Sequence, residues 1–144
     1  MEYAEVQSLI QTNVEGLGYE VMFGHGRAED FKLLKNKKYP LVWLDPMEVS
    51  GSNPNTFDNT QSWSISMVFL VKATPTDQLD EQNSLVNFGE QIANDFINKL
   101  DSSDRLEFAS KPVIKPLHRT AFGTDHTSGC ILTFSLIVYD TYTC

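Results

Sequence analysis

The chain is 144 residues long, 41% hydrophobic and 21% charged, and its 19 Asp and Glu against 11 Lys and Arg give a formal net charge of -8. That length suits one domain, 1–144, around one core, and the composition stands apart from disordered and membrane-embedded chains. The acidic balance works against a sequence-independent grip on nucleic acid, and no run approaches the ~18 apolar residues of a membrane span, so a cytoplasmic protein with no membrane role is expected.

In chain order, Tyr3, Val6, Leu9 or Ile10, Val14 and Leu17 recur at three- and four-residue steps, which predicts a helix with one apolar face. Gly16 and Gly18 are able to take the left-handed conformation that stops it. Residues 19–23 read as a short strand, with Gly24, His25 and Gly26 as a turn. Residues 28–38 read either as a loop or as a short helical piece. Within them Lys32, Lys35, Lys37 and Lys38 form a basic run, which is either a solvated turn or a docking patch for an acidic partner.

The segment 39–49, YPLVWLDPMEV, favours a strand, with Pro40 tolerable at its start and Pro46 ending or bending it. Residues 50–60, SGSNPNTFDNT, are dense in turn formers and have no apolar period, so they read as a long exposed loop. The clearest strand follows: Trp63, Ile65, Met67, Phe69 and Val71 point one way, while Ser62, Ser64, Ser66 and Lys72 point the other. Its serine-rich start suggests one wet face.

Thr74, Pro75 and Asp77 combine a cap, a proline at the first helical position and an acid three after the cap. A long helix is therefore expected over about 77–100, with Leu85, Val86, Phe88, Ile92, Ala93, Phe96, Ile97 and Leu100 as its stripe. Residues 105–118 look extended but interrupted by Pro112 and Pro116. The Gly- and Thr-rich stretch 120–129 reads as a connection between strands, and Cys130, Leu132, Phe134, Leu136 and Val138 mark a last alternating strand. The order carries no repeated strand–helix unit. The expected class is α+β: a mainly antiparallel sheet packed by an N-terminal helix and one long helix.

Chemistry is hard to find. His118, Asp125 and His126, with Cys130 nearby, form the one local cluster of metal-ligand types; they match no recognised spacing, and a metal-dependent hydrolase is the minor reading they leave open. Ser128, Gly129 and Cys130 do not make a nucleophile elbow, and the alternation places Cys130 with the core. Neither glycine-rich phosphate motif occurs, so no cofactor is expected. The cysteines, Cys130 and Cys144, read as free thiols rather than a bridge, and Trp63 and Phe69 read as core rather than as a base-stacking platform.

Taken together, the N-terminal amphipathic helix, the strand YPLVWL, the long polar loop, the strand WSISMVFLV, the helix opening at TPTD and the closing strand ILTFSLIVYD resemble the tail-terminator and tail-completion (neck) proteins of long-tailed bacteriophages. The likeness spans almost the whole chain and lies in element order, size and texture. It implies a virion structural protein, not an enzyme, assembled in the host cytoplasm. Such a protein forms a homo-oligomeric ring, often a hexamer, on the tail tube protein, stops its assembly and meets the head–tail connector protein. DNA would pass through without specific binding, which the net acidity suits. Another head–tail connector or neck component is the alternative. Phe57 and Phe122, isolated aromatics in hydrophilic loops, are the expected interface anchors, with Lys37 and Lys38 beside them.

Overall fold

The computed structural model describes residues 2–50, 60–73, 79–102, 106–122 and 125–139, with the side chains at 50, 60, 119–122, 125 and 139 left out of that description. The protein is α+β. Its elements run α1 (Tyr3–Glu15), β1 (Met22–His25), α2 (Ala28–Leu33), β2 (Leu41–Leu44), β3 (Glu48–Ser50), β4 (Thr60–Lys72), α3 (Leu79–Asp101), β5 (Leu106–Phe108), β6 (Val113–Phe122) and β7 (Asp125–Tyr139).

The centre is the antiparallel pair β4–β7, in continuous register from Thr60 opposite Tyr139 to Lys72 opposite Thr127. The sheet of seven strands runs β1-β2-β4-β7-β5, with β3 also on β4 and β6 also on β7. All neighbours are antiparallel except β1 and β2, which run parallel with α2 between them in sequence.

Strict alternation in β4 and β7 divides the sheet into two faces. On one, Trp63, Ile65, Met67 and Phe69 join Leu132, Phe134, Leu136 and Val138 in a core that α1 closes with Val6, Ile10 and Val14 and α3 with Ile92, Ala93, Phe96 and Leu100. Burying each such large side chain contributes about 1.5–3 kcal/mol. Among the described residues the opposite face is covered at one end, where Leu41, Trp43, Val68 and Leu70 pack under Phe31 of α2. Cover on both faces explains why all four residues of β2 are buried.

Several expectations change. The first strand is 22–25 rather than 19–23, so Gly24 and His25 lie in β1 and not in a turn. A Cβ at Gly24 would stand 2.7 Å from the Trp43 ring, so the bare α-carbon makes room for the indole. The turn falls instead at Gly26, whose φ is +128° and whose carbonyl accepts a hydrogen bond from Trp43 Nε1 at 3.1 Å. Gly18 has the positive φ expected of a helix stop, but Gly16 does not.

The segment 39–49 divides at Asp45 and Pro46 into β2 and β3, and the long loop is shorter than expected because Ser50 and Thr60 are in strands. Residues 51–59, including Phe57, and the TPTD cap lie outside the described residues. The stretch 120–129 is not a connection: β6 runs to Phe122 and β7 starts at Asp125, forming a hairpin in which Thr127 and Ser128 are fully buried. Among the described residues, no helix is long and apolar enough to cross a membrane.

Candidate functional site

Two parts of the surface are built in a way the core does not require. The first is the bare end of the second sheet face. Ser64 and Ser66 of β4 lie opposite Ser135 and Thr133 of β7, and with Pro46, Glu48, Lys111 and Val113 they line a hollow of about 410 Å³. The same alternation that drives Trp63 and Ile65 inward puts these hydroxyls outward. Ile65 and Phe134 also reach this hollow, so its lining is part hydroxyl and part apolar.

The second lies where α3 passes the end of α1 and the start of β1. Phe88 follows the same ridge of α3 as Ile92 and Phe96, and the sequence places it in the core. It is instead 43% exposed, and beside it Tyr19 and Pro40 line a hollow of about 270 Å³. Glu20 and Pro40 are shared with a larger hollow of about 840 Å³ edged by Lys35, Asn36, Lys38 and Tyr39. The first hollow is mainly apolar, and the second sets two lysines, the basic end of this region, beside Glu20.

Tyr19 is fixed beside the first hollow by donating a hydrogen bond to Asp95 Oδ2 at 3.0 Å. Partial burial pushes its phenol up to about 12, with the hydrogen bond and negative charge of Asp95 adding to the effect. Asn36, at φ +57°, turns the chain at the basic end. Lys37 and Lys38, expected together at an interface, part company here. The Lys37 ammonium stands 4.7 Å from the Phe31 ring centroid, a cation–π contact within the chain. Lys38 is exposed, its backbone N–H directed at Met22 Sδ at 3.2 Å, and among the described residues neither Lys35 nor Lys38 has an ion-pair partner.

The other sequence candidates separate. His118 is on β6 with Nε2 2.9 Å from Asn83 Oδ1 of α3. His126 is half-buried on β7, opposite Ala121. Cys130 is buried, its thiol pushed up to about 12 first by burial and then by the charge of Glu90. Among the described residues, no group of three or more His, Cys, Asp or Glu could hold a metal ion; the side chains of Asp125 and of the proposed anchor Phe122 are outside that description.

The free edge of β6 is a third surface, but Pro116 within it has no N–H to donate, which blunts the edge against pairing with an added strand. Sequence reading singled out the basic run at Lys35 and Lys38 but not the aromatic pair Tyr19 and Phe88. Phe88 carries a core period, and only its 43% exposure in the fold shows otherwise. Among known proteins, no family model matches the chain and no curated protein matches it.

Proposed function

We propose that the chain is a virion structural protein of a long-tailed phage, a tail terminator that forms a ring on the end of the tail tube, stops its growth and joins the tail to the head. The observation that carries this reading is the placement of α1 and α3 on one face of the β4–β7 sheet, with Ser64, Ser66, Thr133 and Ser135 on the other around a hollow. The order of elements along the chain is the one on which the sequence resemblance rests. It also gives a rigid body with surface to spare for neighbours.

The mechanism is geometric. Heterologous contacts that close on themselves fix a copy number, and a closed ring on a tube end offers no site for the next tube subunit. The ring, often a hexamer, would meet the tail tube protein on one side and the head–tail connector protein on the other. A net charge of -8 per chain favours free passage of DNA over binding to it. No step calls for a cofactor, and the protein would reside in the tail or neck after assembly in the host cytoplasm.

Electron microscopy of the purified protein, alone and mixed with polymerising tube protein, tests this. Rings of uniform diameter that cap tubes and limit their length are the expected result. Tubes that grow unchanged with the protein unattached would end the proposal, and rings bound to the connector alone would move it to another neck component.

A further inference from the structure

We propose that the hollow between Glu48 and Lys111, on the sheet face turned away from α1 and α3, is an interface for a second copy of this chain, packed face to face about a two-fold axis. This goes beyond the function proposed above and does not rest on it: a two-fold contact pairs copies and closes no ring by itself.

Two charges carry the match. Glu48 and Lys111 both line the hollow and are exposed, yet among the described residues neither has an ion-pair partner. The strand order sets them on opposite rims. Glu48 lies on β3, which pairs with β4, whereas Lys111 falls between β5 and β6, which both pair with β7 on the side away from β4. Steps of ~4.8 Å from β3 to β4, β7 and β5 put their backbones about 14 Å apart.

The two also stand at one height along the strands. Glu48 is opposite Ser64, which is opposite Ser135. Lys111 follows Ala109, whose N–H donates to the Ser135 carbonyl, and precedes Val113, which is opposite Thr133. An occupant must therefore bring a cation to one rim and an anion to the other, level with each other.

A second copy, turned half a revolution about an axis along the strands and midway between the two faces, does so by symmetry. Its Lys111 comes over Glu48, and its Glu48 over Lys111. The same rotation lays Val113, 60% exposed, toward Pro46 of the other copy, a second lining residue of the opposite rim. Ser64 and Thr133, exposed between the rims, then face hydroxyls of the other copy, which direct or water-bridged hydrogen bonds satisfy. The paired charges also counter the general repulsion between chains of net charge -8.

Sedimentation velocity over a concentration series is the test, with circular dichroism confirming that each variant folds. Wild type should reach a two-copy species. Glu48→Lys and, separately, Lys111→Glu should each weaken pairing roughly tenfold or more, since each sets like charges together at both rims. An equimolar mixture of the two variants should pair as wild type does, and so should a chain carrying both substitutions. Glu5→Lys makes the same change in net charge on exposed α1 surface, across the sheet, and should not weaken pairing.

A wild-type chain that stays monomeric, single reversals that pair like wild type, a mixture that does not recover, or a Glu5→Lys protein as weak as Glu48→Lys would overturn the contact. Rings that form whichever charge is reversed would do so while leaving the tail-terminator reading intact. Pairing that obeys the charge swap in a protein indifferent to tail tubes would keep the contact and remove that reading.

Discussion

The backbones of Gly89 and Gly129 meet: a Cβ built on Gly89 would lie 2.8 Å from the α-carbon of Gly129 and 3.2 Å from its carbonyl carbon. Helix α3 thus settles onto β7 at a point where neither chain carries a side chain. The close approach goes with the burial of Ile92 and Phe96, on the same helix, in the core.

Gly89→Ala should therefore destabilise the fold. Alanine gains about 1 kcal/mol of helix propensity over glycine, but lifting the helix off the strand costs about 1–3 kcal/mol, and rigid backbone on the far side leaves no cheap relief. Gly129→Ala should be worse, since its φ is +156° and its Cβ would run into the Phe69 carbonyl. Urea denaturation compares the two; a Gly89→Ala protein more stable than wild type would show that the helix can move.

Phe96 is fully buried, with ring centroids 6.1 Å from Phe69 and 6.2 Å from Phe134. Truncation to alanine should lose about 3–5 kcal/mol. Phe96→Asp would bury a charge with no cation near it among the described core residues, and should leave the chain unfolded by circular dichroism at neutral pH.

Alkaline stability should depend on Tyr19. Its folded-state value of about 12 lies above the ordinary 10, so folding favours the protonated phenol; that contribution is whole below pH 10 and is lost as pH rises towards 12. Tyr19→Phe should flatten stability over this window, and Asp95→Asn should move the phenolate titration, followed by ultraviolet absorbance, back towards 10. An unchanged titration in Asp95→Asn would contradict the hydrogen bond.

Cys130 should be chemically silent. Its thiol, pushed up to about 12 and fully buried, offers almost no thiolate at neutral pH. In a Cys144→Ser background, which leaves Cys130 as the one thiol, labelling should proceed no faster than the fold opens. Rapid modification of the native protein would place Cys130 at the surface.

What the sequence carries plainly is what depends on local period. Alternation in β4 and β7 and the stripe of α3 were legible because each repeats over many residues, and the faces they imply are the faces observed. The misreadings share one cause, contacts distant in sequence. Gly24 belongs to a strand because of Trp43, and Thr127 and Ser128 do because β4 and β6 flank them. Phe88 has the spacing of a core residue, yet it borders a hollow beside Tyr19 and Pro40 and is 43% exposed. Lys37 looked like a free cation, and only the fold brings Phe31 beneath it.

The long register between β4 and β7 has a kinetic side. Its two strands are separated by the whole of α3 and the β5–β6 segment, so the central ladder cannot form until a large loop has closed. Contacts so remote in sequence make folding slow, on the order of milliseconds to seconds. Until then the seat of α3 does not exist. The pace at which the fold completes is thus set by the chain finding its own middle.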